Sequence, residues 1–342
     1  MKGIGIIGCG HWGKNYLRVF KESREDIVVS AYDCDQEKLK NVSSRYSWVK
    51  ISHNIEDILK DELIEAVAIS TPATTHYELV KKALLSNKHV LVEKPFTLKS
   101  DQAKELVELS EERKLALMVS HTFLYNSAIR QIKRYIDNGE CGKIYYLKAT
   151  RTHLGLIRED VNAFWDLAPH DISIFNYLLG AMPIKVSVVG SQVIREGRED
   201  VGFATLFYPH NVIANIHVSW IDSHKEREVS IVAARQRIVF DDLNNLEKIR
   251  IFEKGIEVER EISNFGEFQL LLRDGNIVSP KVSDYEPLKK QCEHFLECVE
   301  QKKMPLTDGK NGFEIVKILE AFQESLAKNG EPVKVEEGSS YE

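Results

Sequence analysis

Asp166 and His170 stand four residues apart in Trp165-Asp166-Leu167-Ala168-Pro169-His170-Asp171, a spacing that puts both on one face of a helix. An imidazole titrates at about pH 6.5, which suits it to moving protons near neutrality. A carboxylate on the same face can orient the ring and stabilise its cationic form. A third group, Lys94 in Val92-Glu93-Lys94-Pro95-Phe96, follows an apolar run and brings a cation that stabilises an alkoxide or polarises a carbonyl. Base and cation together suit the oxidation of a secondary alcohol, or the reverse, provided that something accepts the hydride. Each residue also has a purely structural reading. His170 can pack or cap within its helix, Asp166 and Pro169 both suit a helix start, and a lysine such as Lys94 is ordinarily solvated.

The hydride acceptor is suggested at the N-terminus. Gly8-Cys9-Gly10-His11-Trp12-Gly13 matches G-x-G-x-x-G, after the strand-like Gly3–Ile7 and before the helical Trp12–Lys21. Its glycines serve a tight turn, close approach of a pyrophosphate, and helix–strand packing, while His11 and Trp12 flank the phosphates. Asp33 ends the next apolar run, Ile27–Tyr32, where a carboxylate accepts from a ribose diol and repels a 2′-phosphate, so NAD is expected over NADP. Asp35 is a rival for that role. Further apolar runs at Ala66–Ser70, His89–Val92 and Leu117–Ser120 alternate with helical stretches Gln36–Arg45, His76–Leu85 and Asp101–Arg113. That alternation predicts a doubly wound parallel (Rossmann) sheet over residues 1–120. Thr71, Pro72 and His76 in one strand-end segment, and Glu93 and Lys94 in another, then fall on the ligand edge.

Beyond residue 120 the texture changes. Helical stretches at Asn126–Asn138 and Asp166–Leu179 frame a strand at Lys143–Thr152, and short strands crowd Ile184–Ile262. Closing helices are predicted at Tyr285–Glu300 and Phe313–Lys328, before a polar tail at Glu336–Glu342. The expected architecture is α/β, with residues 121–342 forming an α+β domain on a largely antiparallel open sheet that holds substrate and leaves a face for helices or a second subunit to cover. A net charge of −6 lacks the footprint of a nucleic-acid binder. Five scattered cysteines form neither a disulfide framework nor a zinc pattern, so a reducing cytoplasm and no metal are expected. The short apolar run at the N-terminus lacks the longer core and small-residue cleavage site of a signal peptide, and no run is long enough for a bilayer, so neither a signal peptide nor a membrane partner is expected.

A strand-end T-P-x-x-x-H, then E-K-P, then D-x-x-x-H, following the glycine motif in this order, resembles the glucose–fructose oxidoreductase / inositol dehydrogenase (Gfo/Idh/MocA) family across the whole chain. The resemblance implies that Thr71, Pro72, His76 and Glu93 line the cofactor edge, that Lys94 reaches both cofactor and substrate, and that Asp166 and His170 are the catalytic pair. It also implies that subunits join through the sheet of the second domain as a dimer or tetramer. Ala168 stands where the family often has a glycine, and an upstream glycine pair is missing. The segments Trp165–Ile172 and Glu286–Gly309 are similar to the branch that acts on nucleotide-linked sugars, such as UDP-N-acetylglucosaminuronate 3-dehydrogenases feeding surface polysaccharide synthesis. Arg151, His153 and Arg158 are candidates to meet a carboxylate or diphosphate, Tyr125 to face the cleft, and Trp165 to stack on a sugar. Two alternatives stay open: a dehydrogenase of a free polyol, inositol or aldose, and a non-catalytic NAD-binding sensor.

Overall fold

The structure is a computed structural model that describes residues 1–155, 157–258 and 270–335. In chain order it runs β1 (Gly3–Ile7), α1 (His11–Ser23), β2 (Val28–Tyr32), α2 (Gln36–Arg45), β3 (Lys50–Ile51), α3 (Ile55–Lys60), β4 (Ala66–Ile69), α4 (His76–Leu85), β5 (His89–Val92), α5 (Ser100–Glu112) and β6 (Leu117–Val119). It continues with α6 (Ser127–Asp137), β7 (Ile144–Leu154), α7 (Ala163–Leu179), β8 (Lys185–Ser191), β9 (Val201–Tyr208), β10 (Val212–Ser219), β11 (Ile221–Ala233), β12 (Arg237–Asp241), β13 (Ile249–Phe252), β14 (Gly255–Val258), β15 (Leu270–Arg273) and β16 (Ile277–Val278). The chain closes with α8 (Pro287–Gln301), α9 (Gly309–Ala327) and β17 (Val333–Lys334). The expected tail and the end of the expected strand-rich stretch, at Ile262, lie outside the described residues.

Contacts divide the chain into two compact units, Met1–Tyr125 with Tyr285–Lys317, and Asn126–Asp284 with the chain from Ile318 onward. The first holds a wholly parallel sheet in the order β3-β2-β1-β4-β5-β6. All five residues of β1 and all four of β4 are buried, as central strands covered on both faces require. Strand order reverses between β1 and β4, so their carboxyl ends flank the crevice where such sheets take ligands.

The expectation that everything past residue 120 forms one second domain is corrected by α8, which packs in the first unit. Phe295 meets Phe20 at a centroid distance of 6.4 Å, Glu286 pairs with Arg18 at 2.6 Å, and Gln291 donates to Ser120 at 3.0 Å. Thr307 pairs with Val119 through its backbone and hydroxyl. An amphipathic helix shows in its sequence that one face is covered, not which element covers it.

Among the described residues the second unit is built on a nine-stranded sheet, β16-β13-β12-β11-β7-β10-β9-β8-β17, in which only β7 and β10 run parallel. One face is packed by Leu147, Ala149, Ala214, Ile216 and Val218 beneath α7. The other carries cross-strand rows fixed by register, among them Phe207–Ile213–Tyr146 and Val189–Phe203–His217, separated by Thr205–Asn215–Lys148.

Candidate functional site

In the first unit, the glycine turn is shaped for a ligand as much as for the fold. Gly8 has φ +95°, and a Cβ there would lie 2.8 Å from the Ser70 carbonyl. A Cβ on Gly13 would lie 1.9 Å from the Gly8 carbonyl, so that position admits no side chain. Gly10 differs, since a Cβ there would meet nothing within 4 Å. Helix α1 follows Gly10, its N-cap, with no side-chain cap and no acidic residue in its first turn. Its first amide groups are therefore left for an anion, and the dipole favours one, which fits a dinucleotide pyrophosphate. His11 and Trp12 lie exposed beside this turn.

Asp33 is 6% exposed and accepts from the Cys9 amide at 2.7 Å and the Asp35 amide at 2.9 Å. It ties β2 to the glycine turn and retains lone pairs for a ribose diol. Its rival Asp35 instead caps α2, accepting from the amides of Glu37 at 2.9 Å and Lys38 at 3.4 Å.

The ends of β4, β5 and β6 are joined by buried polar groups. Thr71 is half-buried and Pro72 exposed at the end of β4. His76 is buried, with Nδ1 2.8 Å from the Pro95 carbonyl and Nε2 3.0 Å from the Thr71 carbonyl. It holds two edge segments together rather than presenting its ring to a ligand. Glu93 is buried too. Its Oε1 accepts from the Tyr16 hydroxyl at 2.6 Å and from Ser120 at 3.0 Å, and its Oε2 from the Lys94 amide at 3.2 Å. Burial pushes its carboxyl pKa up, while the donors from Tyr16, Lys94 and Ser120 oppose this. Glu93 thus orients the segment carrying Lys94, which is half-buried, and is not itself open to cofactor.

Tyr16, Ser120 and Gln291 complete this network and were not singled out from sequence. Their only signal is a polar group on an otherwise apolar face, which many solvated residues share. His121, next in the chain, is buried with neither ring nitrogen hydrogen-bonded among the described residues. Burial first, and the Lys94 charge second, push its pKa down to about 3, so the ring stays neutral.

In the second unit, α7 begins at Ala163, earlier than expected, because the Asn162 side chain accepts from the Trp165 amide. Pro169 therefore lies inside the helix rather than at its start. Asp166 accepts from Arg158 Nη1 at 3.4 Å and from the Trp220 indole at 3.2 Å. His170 is half-buried, one turn further on.

The expected substrate residues fare unequally. Arg151 is 4% exposed and forms a fork with the buried Asp171, at 3.0 Å through Nε and 2.7 Å through Nη2. Its donors are engaged inside the unit, so it is a structural cation and not a diphosphate ligand. Arg158 forks onto Asp160 at 2.8 and 2.7 Å. His153 is half-buried, and burial lowers its pKa. Trp165 is 9% exposed, and Tyr125 is 1% exposed with its ring 5.6 Å from that of His294, so both are packing residues.

Residues 2–121 match the oxidoreductase family with an NAD-binding Rossmann fold, and residues 129–239 match the GFO/IDH/MocA C-terminal domain. The chain belongs to this family of NAD-binding oxidoreductases. It is 27% identical to UDP-N-acetylglucosamine 3-dehydrogenase of Acidithiobacillus ferrooxidans over 73% of this chain and 77% of that one. It is 23% identical to myo-inositol 2-dehydrogenase of Thermotoga maritima over 98% of both chains. Among solved structures, the WlbA dehydrogenase of Bordetella pertussis, in complex with NADH and UDP-GlcNAcA, superposes with TM-score 0.79 at 19% identity, covering 99% of this chain and 100% of the other. Among the described residues no helix is long and apolar enough to cross a membrane.

Proposed function

We propose that this chain is an NAD-dependent dehydrogenase that oxidises a secondary hydroxyl of a sugar, with a UDP-linked N-acetylhexosaminuronate, oxidised at C3, as the favoured substrate. The observation that carries the reading is Lys94 held at the carboxyl end of β5 by Glu93, in the unit whose glycine turn leaves the start of α1 open to a pyrophosphate. When bound, NAD supplies the acceptor for the carbinol hydride. Gly8, Gly10 and Gly13 shape its phosphate seat, Asp33 takes the adenosine ribose, and Thr71 and Pro72 border it at the end of β4. His170 removes the hydroxyl proton, Asp166 orients and charge-balances its ring, and Lys94 stabilises the alkoxide.

The nucleotide-sugar preference rests on the relatives named above, because Arg151 and Arg158 are both engaged by carboxylates of their own unit. A free polyol, inositol or aldose is the alternative. NADH formation across UDP-sugar acids, UDP-sugars, inositols and aldoses separates the two, with saturable turnover expected for a UDP-sugar acid. Lys94→Ala and His170→Ala should each lower kcat/KM by about 10²–10⁴-fold. Near-full turnover in both variants ends this mechanism, and tight NAD binding without turnover on any sugar favours the sensor.

The open sheet face, with Tyr146, Val189, Phe203 and Ile213 each about half-exposed, suits a second copy of the chain. Light scattering should show a dimer or tetramer that Phe203→Glu with Ile213→Glu dissociates. Five free cysteines suit a reducing cytoplasm.

A further inference from the structure

We propose that Trp220 and Arg158 are positioning residues for Asp166, together fixing both of its carboxylate oxygens so that it acts as a stationary anion behind proton transfer at His170. The proposal deepens the dehydrogenase reading, and its kinetic arm rests on that reading.

Trp220 lies at the β10–β11 junction and is 1% exposed. An indole has one donor and no acceptor, so a buried indole requires an acceptor within reach. Here that acceptor is Asp166 Oδ2, at 3.2 Å. The backbone on which the indole stands is itself pinned, since the Trp220 amide donates to the Asp200 carbonyl at 2.9 Å. The Asp200 carboxylate in turn accepts from the amides of Val193 and Ile194, both at 2.8 Å.

Arg158 reaches the other oxygen. Two of its donors grip Asp160, and Nη1 is directed at Asp166 Oδ1, 3.4 Å away. The Arg198 guanidinium holds the Arg158 carbonyl at 3.3 Å. With donors on separate oxygens, the carboxylate cannot turn about its last bond without losing one of them. Arg158 is therefore assigned to the catalytic carboxylate and not to a substrate diphosphate.

The test has two arms. In the first, ¹⁵N-labelled tryptophan reports the indole N–H signals, with the Trp220 signal assigned by Trp220→Phe. In Asp166→Ala that signal should shift and lose protection from exchange, and in Arg158→Gln it should shift less. An unchanged Trp220 signal in Asp166→Ala, with Trp220 itself intact, overturns the proposal. In the second arm, Trp220→Phe and Arg158→Gln should lower kcat by about 10- to 100-fold, the scale set by slight misplacement of a reacting group. KM should stay within about twofold, on UDP-linked and free sugars alike, and Arg158→Lys should recover part of the loss. A rise in KM confined to the UDP-linked substrate, with kcat retained, returns Arg158 to the diphosphate and refutes the assignment. If no sugar is turned over by the native protein, the dehydrogenase reading fails while the indole signal still decides the clamp.

Discussion

Replacing Arg151 by Met should damage stability and leave substrate affinity alone. The guanidinium and Asp171 are 4% and 0% exposed, and two parallel bonds of 3.0 and 2.7 Å join them. Removing one partner of such a pair leaves a buried, uncompensated carboxylate, at about 3–5 kcal/mol. For a unit of this size each kcal/mol moves Tm by about 2–4 °C, so the expected drop is about 6–20 °C. Replacing both residues, as in Arg151→Met with Asp171→Leu, removes the desolvation burden as well, and should return stability to within a few kcal/mol of native or above it. Trp165 and Trp220 lie in the second unit and Trp12 and Trp48 in the first, so Trp12→Phe with Trp48→Phe confines tryptophan fluorescence to the unit under test. Urea unfolding of the two single variants and the double variant then gives the coupling energy. Native stability in Arg151→Met, together with a raised KM for the sugar, would refute this and return Arg151 to the substrate.

Three further outcomes are expected. Glu93→Gln keeps an oxygen for Tyr16 and Ser120 but turns an amide toward the Lys94 N–H, so kcat should fall about 10- to 100-fold with the fold intact by circular dichroism. Asp33→Asn removes the charge that repels a 2′-phosphate while retaining an acceptor for Cys9, so the ratio of kcat/KM values for NADP and NAD should rise at least about tenfold. His121 should make the protein acid-sensitive: its folded pKa of about 3 lies below the ordinary histidine value of about 6.5, so its contribution is complete above pH 6.5 and is lost as pH falls towards 3. His121→Asn should flatten the fall in Tm between about pH 6.5 and 4, and an unaltered profile counts against the neutral buried ring.

What was legible in the sequence was written in neighbouring residues. The turn from Gly8 to Gly13, the strand Gly3–Ile7 and helix Gln36–Arg45 follow from local pattern, and the structure places all three where it directed. Strand β11 did not read clearly. Local pattern supports a strand only from Glu228, yet β11 begins at Ile221: Asp222–Arg227 is a polar run in which Glu226 and Arg227 pair with β7, across an irregularity in register that follows Ile221. The two-residue strand β3 and the short helix α3 are below the length at which periodicity shows. The site divides in the same way. Lys94, Asp166 and His170 announce themselves by motif. The partners that orient them do not, because Tyr16 to Glu93, Gln291 to Ser120 and Trp220 to Asp166 are separated by many residues and meet only through folding. Arg151 reads as a substrate cation for the same reason, as its counter-ion sits on a helix that follows its strand in the chain.

The return of Tyr285–Lys317 to the first unit has a consequence for biosynthesis. Phe20 and Ser120 emerge from the ribosome early, but Phe295 and Gln291, which complete their surroundings, are made after nearly the whole second unit. At about 5–20 residues per second, the nascent nucleotide-binding half waits on the order of ten seconds or more with that flank uncovered. A chain cut after residue 125 should inherit the defect permanently, and should be recovered as aggregates rather than as a free-standing cofactor module.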